Sequence, residues 1–387
     1  MQIQNIERDG MMNIYLDNAA TTKPCAEAVE AIASALTESY GNPSSLHRMG
    51  LNAQLVVDRA RKAVADSLGT EAVNITFTSG ATESNNLAVR GAAAAYGKRK
   101  KRIVVSSVEH ASVAETMNDL ETKGFEVVRI HPNENGEFCP ADFVREVNSD
   151  TCLISMMLVN NETGYIFPVK EVFTAIKRRF PEVVTHCDCV QGFMKIPVKA
   201  NFLNADLISL SGHKIHGAKG IGALYIKKGV RIVPIVTGGK QEKGIRSGTE
   251  SVPLIAGFGA AVEKLVPTIW ERWDRLCSLR KYLLDRLTEI DGVKINSVPE
   301  SSPYIVNISA AGRRSEIMLH FLEQKGIYVS SGSACSKGAQ SGVLGEFGIN
   351  QKDSDSALRI SMSAETTEAE LDEFALALAE GIEKIKT

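Results

Sequence analysis

Between residues 72 and 226 short apolar runs alternate with segments of helical periodicity. The runs are Asn74–Thr78, Ile103–Ser106, Glu126–Ile130, Cys152–Val159, Val183–Cys187, Asp206–Leu210 and Gly222–Ile226. The intervening stretches Thr82–Tyr96, Ser112–Lys123 and Lys170–Phe180 carry apolar residues at helical spacing. Mostly apolar strands that alternate with helices are buried on both faces. The pattern therefore predicts an α/β fold, with a mostly parallel central sheet flanked by helices. Ligands of such sheets bind at the carboxyl ends of the strands.

After residue 253 the pattern changes. A long helical stretch, Ile255–Ile290, leads to apolar runs at Val293–Ser297 and Tyr304–Ser309 and a helix near Ser315–Lys325. Strands follow near Ile327–Ser331 and Ala357–Ser361, and a final helix opens with Thr367 and Glu370, the spacing of a capping box. This reads as a smaller α+β domain. The expected division is a large domain over 15–262 and a small one over 263–387. Residues 1–14 form a segment that packs on the small domain or is disordered, and Met11 or Met12 is an alternative start.

A chain of 387 residues is long enough for two such domains. Its formal charge of −2 gives no global field toward nucleic acid or an anionic membrane. No apolar run stands out as long enough to span a bilayer, and no basic-then-apolar leader opens the chain, so a cytoplasmic protein is expected. Seven scattered cysteines argue against a disulfide framework. Only Cys187 and Cys189 lie close together, on one side of a strand, and no metal site is expected from them.

Candidate chemistry gathers at the predicted strand ends. In Asp206–Gly222 an apolar strand runs into Ser211-Gly212-His213-Lys214. A lysine there can form a Schiff base with an aldehyde cofactor, and Ser211 and His213 can donate to a phosphate; a solvated loop lysine is the plainer reading. Asp188 and Gln191 end another strand, where a carboxylate needs a partner such as a protonated pyridine nitrogen, a helix cap or a buried cation. The turn Ser79-Gly80-Ala81 into a helix at Thr82 suits a phosphate, although many ordinary helices open this way. His110 follows a strand end and could stack on a planar ring or be structural. Asn161 could bond cofactor or substrate, or serve a plain turn. Cys335 sits among Ser, Gly and Lys in a polar loop expected to be mobile, where a thiol has access. Arg359, in the β run Ala357–Ser361, could take a carboxylate as a bidentate pair or lie on an edge.

The stretches LDNAATT, GNPSSLH, TSGATESNN, EHASV, NNETG, HCDCVQ, SGHKIHG, KQEKGIRSGTE and SSGSACS, in this order, make the chain resemble the NifS/IscS-type cysteine desulfurases. These belong to the fold type I, aspartate-aminotransferase-like enzymes dependent on pyridoxal 5'-phosphate. The resemblance runs from Tyr15 to the final helix. It implies that Lys214 anchors the cofactor, with Ser211, His213, Ala81 and Thr82 on its phosphate. Asp188 would meet the pyridine nitrogen, Gln191 the ring hydroxyl, and His110 would stack on the ring. Thr249 would reach the phosphate of a neighbouring subunit, implying a homodimer. Asn161 would contact cofactor and substrate, Arg359 the substrate carboxylate, and Cys335 would accept the sulfur.

The implied reaction converts L-cysteine to L-alanine and leaves a persulfide on Cys335. A transient protein acceptor, an iron–sulfur scaffold or a tRNA-thiolation enzyme, would then take the sulfur. The alternative is a selenocysteine lyase or another fold type I enzyme. Cys189 departs from the family, where alanine is frequent, and the loop after Cys335 is slightly short.

Overall fold

A computed structural model describes residues 13–331 and 342–385. They divide into two compact units. One comprises Thr21–Asn161 and Ile166–Arg272; the other comprises the described residues up to Ala20, Glu162–Tyr165 and the described residues from Trp273 onward.

The chain opens with β1 (Ile14–Tyr15), α1 (Ala26–Thr37) and α2 (Arg48–Leu68), two helices that the apolar pattern did not single out. The first unit is then built on seven strands: β2 (Ile75–Thr78), β3 (Arg102–Ser106), β4 (Glu126–Ile130), β5 (Thr151–Met157), β6 (Val184–Asp188), β7 (Leu207–Ser211) and β8 (Gly222–Ile226). Their order is β2-β8-β7-β6-β5-β3-β4. Only β8 runs against its neighbours, so the other strands end on one edge. β5, β6 and β7 are buried at every position, as expected of a sheet covered on both faces.

Helices α3 (Ala81–Tyr96), α4 (Ala111–Thr122), α5 (Pro140–Glu146), α6 (Val169–Arg179) and α7 (Ala200–Leu203) fill the crossovers. Leu87, Val89, Val113 and Met117 of α3 and α4 pack on Ile103, Leu153, Val184 and Leu207 in one apolar cluster. These residues recur at helical spacing on one side of the contact and along the strands on the other, so the two periodicities meet in one core.

The expected single helix over Ile255–Ile290 is two: α8 (Val252–Leu265) and α9 (Ile269–Thr288), separated by a tight turn at Val266–Thr268. Pro267 lies in that turn, where a helix interior would not tolerate it. Contrary to the sequence expectation, the stretch Val252–Thr288 is long and apolar enough to match a membrane span by length and composition. In α8 the apolar face, with Ile255, Phe258 and Val262, is buried. A Cβ on Gly259 would lie 2.6 Å from Ala60 Cα, so small residues let α8 and α2 approach closely.

The second unit carries β9 (Val293–Ile295), β10 (Ile305–Ala310), β11 (Ile327–Tyr328), β12 (Ser330–Ser331) and β13 (Ala357–Ser361). Four of them form an antiparallel sheet in the order β12-β13-β10-β9, while β11 pairs in parallel with β1. Its helices are α10 (Ser315–Gln324), α11 (Gly342–Glu346), α12 (Gln351–Asp355) and α13 (Glu368–Lys384). The capping box at Thr367 and Glu370 is formed in both directions.

Candidate active site

Each crossover strand of the large sheet delivers its last residue, or the turn after it, to one edge. β6 ends on Asp188, 5% exposed. Its Oδ2 accepts from Asn85 Nδ2 at 2.7 Å, and its Oδ1 from the Val190 backbone N–H at 2.9 Å. Both donors are neutral. They orient the carboxylate and leave its charge available to a cation.

Asn85 stands on the buried face of α3, and the same Nδ2 reaches Ser112 Oγ at 2.8 Å. Ser112 in turn bonds His110: its Oγ is 2.9 Å from Nδ1, and its backbone N–H donates to Nδ1 at 3.1 Å. His110 caps the N-terminus of α4 through that bond. Since Nδ1 accepts, a neutral ring carries its proton on Nε2. Burial among protein atoms lowers the His110 pKa; Asp188 acts to raise it and Lys214 to lower it. Both charges act on the histidine, so the carboxylate and the lysine each lie in its neighbourhood. The residue is closely surrounded by protein atoms yet keeps solvent-accessible surface.

Lys214 closes the tight turn that follows β7 and is half-buried. Its turn is clamped by a segment the sequence reading left without a role. Thr22 donates to the His213 carbonyl from both its N–H and its Oγ1, each at 2.9 Å, and its Oγ1 accepts from the His216 N–H at 2.7 Å. Thr21 Oγ1 lies 3.2 Å from His213 Nδ1. Burial, followed by the charge of Lys214, pulls the His213 pKa down to about 4, so its ring is a neutral hydrogen-bonding group at pH 7.

Ser211, the last residue of β7, is fully buried, and its Oγ has no hydrogen-bond partner among the described residues. A buried hydroxyl is normally satisfied, so this one fits an external acceptor such as a phosphate oxygen. Ser211 pairs across the sheet with Gly222. A Cβ on Gly222 would lie 2.6 Å from Leu210 O and 2.7 Å from Gly80 C; glycine there lets the Ser79–Gly80 turn settle against the sheet. That turn opens α3, whose N-cap supplies no side-chain acceptor for the first-turn N–H groups at Ala81 and Thr82. Ser211 and the α3 N-terminus thus form a cradle suited to a phosphate.

The remaining expected residues take different places. Gln191 is buried, and its Oε1 accepts from Lys195 Nζ at 3.1 Å. Asn161 is half-buried in the turn after β5. Thr249 is exposed, just beyond Arg246, whose guanidinium grips Glu83 of the first turn of α3 at 2.8 Å. Arg359 belongs to the second unit and is not an edge residue: β13 lies between β12 and β10, and the side chain is buried. Its Nη2 donates to Asp17 Oδ1 at 2.8 Å. Cys335 lies outside the described residues.

Cys187 and Cys189 are fully buried with their sulfurs 3.4 Å apart. Burial, with each other's proximity, drives the Cys187 thiol well above its ordinary range, which makes it a poor nucleophile and poor metal ligand. Among the described residues no cluster of three or more metal-ligating side chains occurs.

Asn85, Ser112, Thr22 and Asp17 were missed by sequence reasoning. Asn85 had a legible signal: an asparagine one helical turn from Ala81 and Ala88, inside an apolar face, has to find a buried partner.

The Aminotransferase class-V family model matches residues 14–374. A cysteine desulfurase IscS of Methanosarcina thermophila is 38% identical over 100% of this chain and 97% of its own length. A solved NifS-like protein superposes with a TM-score of 0.92 at 37% identity, covering 97% of this chain and 100% of that one. A structure described as SspA in complex with cysteine matches with a TM-score of 0.81 and 30% identity, over 92% of this chain and 100% of its own. The chain belongs to the class-V aminotransferase family and, within it, to the IscS/NifS cysteine desulfurases.

Proposed function

We propose that this protein is a pyridoxal 5'-phosphate-dependent cysteine desulfurase, converting L-cysteine to L-alanine and passing the sulfur to Cys335 as a persulfide. The observation that carries the reading is the buried Asp188 carboxylate, held among the described residues by neutral donors and acting on His110, in a chain 38% identical end to end to a cysteine desulfurase.

When bound, the cofactor supplies an electron sink for the α-carbon of the amino acid. Lys214 anchors it and moves the α-proton. Asp188 keeps the ring nitrogen protonated, because an anion at a strand end favours the cationic form of its neighbour. His110 covers the ring, Gln191 meets the ring hydroxyl, and Ser211, His213, Ala81 and Thr82 hold the phosphate. Asn161 contacts cofactor and substrate, and Arg359 fixes the substrate carboxylate so that the reacting bonds are aligned. The Cys335 thiolate takes the substrate sulfur; the carbon–sulfur bond breaks, a sulfur–sulfur bond forms and alanine leaves.

The reading extends to a large domain over 15–262, a small domain over 263–387 with the Cys335 loop, and a cytoplasmic homodimer. Thr249 would serve the partner subunit's phosphate site, which fits its exposure in the single chain. Leu36, Tyr40, Leu46, Leu51 and Leu55, all more than half exposed on α1, α2 and the loop between them, suit an interface. The persulfide would be delivered to an iron–sulfur scaffold or a tRNA-thiolation enzyme.

Alanine and sulfide released from L-cysteine in the presence of a reductant test the core claim. Wild type should yield both in equal amounts. Cys335→Ala should retain the cofactor's visible absorbance and yield neither. An active Cys335→Ala variant, or a wild type that makes no alanine, overturns the reading.

A further inference from the structure

Glu109 precedes the stacking histidine, and the reaction described above gives it no role. It is 5% exposed and its Oε2 has no hydrogen-bond partner among the described residues. Its Oε1 accepts from Ser106 Oγ, at the end of β3, and from the Met157 N–H, at the end of β5, the latter at 2.9 Å. Met157 is the residue that faces Asp188 in the parallel ladder between β5 and β6. The Glu109 carboxyl therefore joins two strand ends at the register position of Asp188.

We propose that Glu109 is a positioning residue for the cofactor's ring nitrogen: as a neutral acid it ties β3 to β5 beside Asp188 and leaves Asp188 the one anion acting there. This rests on the reading of Asp188 as the ring-nitrogen partner. Two carboxylates so close would not both stay charged at low cost. The one with oriented donors on both oxygens, Asp188, is the better anion; the one with a bare buried oxygen is the one that keeps its proton. Burial pushes the Glu109 carboxyl up to about 8, with Ser106 and Met157 acting against the rise and Asp188 adding to it. The titratable groups facing it are Asp188 and Cys187 on β6, with His110 next in the chain.

Ionising Glu109 would add a second negative charge near the ring. The test compares full-length wild type with Glu109→Gln, as apoprotein and as holoenzyme. In the apoprotein, folded Glu109 holds a proton from its ordinary pKa of 4.5 up to about 8, while the unfolded form does not. Its contribution to stability is therefore full below 4.5 and lost as pH rises through that window. Wild type should lose thermal stability relative to Glu109→Gln across it. In the holoenzyme, the visible absorbance of wild type should show a pH-dependent component that is absent from Glu109→Gln. Cofactor affinity at pH 7 should stay within about threefold, under one pKa unit of interaction. Ser106→Ala, which removes a donor to the anion, should move the midpoint upward.

Parallel apoprotein curves would show Glu109 ionised in the fold and overturn the proposal. Identical holoenzyme titrations, an unmoved midpoint in Ser106→Ala, or a tenfold loss of cofactor affinity in Glu109→Gln would do the same. A protein that passes these arms but releases no alanine from cysteine would sink the desulfurase reading alone and leave the role of Glu109 standing.

Discussion

Two buried charges, one in each unit, are held in opposite ways. Asp188 ends a strand of the large sheet and is bonded by an amide side chain and a backbone N–H, neither of them charged. Arg359 lies inside the small sheet and is bonded by a carboxylate, that of Asp17. A buried anion with neutral partners still lacks a counter-charge and favours a cationic ligand, whereas a buried cation with an internal counter-ion is already compensated. The first arrangement suits a cofactor that stays. The second suits an anionic ligand that comes and goes, since Asp17 compensates the guanidinium in its absence.

The largest way to break this comparison is Asp188→Asn. Shape and hydrogen bonds are nearly kept and the anion is lost. Activity should fall by about 10²–10³, the cost of one well-aimed electrostatic group, with a blue-shifted or weakened cofactor band; activity unchanged would remove Asp188 from its role. Arg359→Lys keeps the charge and loses the planar fork. It should cost about 1.5–3 kcal/mol in kcat/KM, mostly as a raised KM for L-cysteine, with cofactor affinity intact. Asn85→Ala sharpens the comparison from the other side. It removes the donor to Asp188 and Ser112 and should weaken pyridoxal 5'-phosphate binding by about 1–2 kcal/mol, read by equilibrium titration of the apoprotein.

The smallest effect concerns His186, two residues before Asp188. Its ring is fully buried between Ser155 Oγ at 2.8 Å and Ser209 Oγ at 3.0 Å, and burial lowers its pKa to about 3. The unfolded chain binds a proton below its ordinary pKa of 6.5 and the folded chain does not. The stability it contributes is therefore full above that value and lost as pH falls from there toward about 3. Between pH 7 and 6 the loss should be under about 1 kcal/mol, seen as a lower Tm that a His186→Gln variant does not share.

Much of the site was legible because strand-to-helix turns announce themselves. β4, β8 and β13 were read with their observed bounds, since apolar runs bounded by polar turns leave little choice of register. Lys214, Asp188, Ser211 and His110 stood out as polar residues at the ends of apolar runs. Asp17 and Thr22 were quoted in the matching LDNAATT stretch, but their partners lie 342 and 191 residues away in the chain. No local pattern connects such pairs. The break at Pro267 was written in the sequence and overridden by the apolar periodicity on either side of it. Cys335 stays where the sequence alone placed it, among small polar residues.

What the sequence determined by itself was the alternation of elements and the inventory of chemistry at their ends, because hydrophobic periodicity and turn residues act over a few positions. Which donors hold each charge was decided only by the tertiary structure. Asp188 acquires Asn85 through a helix packed on the sheet, Glu109 acquires Met157 through strand order, and the turn that carries Lys214 is held at His213 and His216 by a threonine from the start of the unit. Those bonds depend on distances set by packing, and a pKa or an orientation follows from the packed neighbours rather than from the residue type.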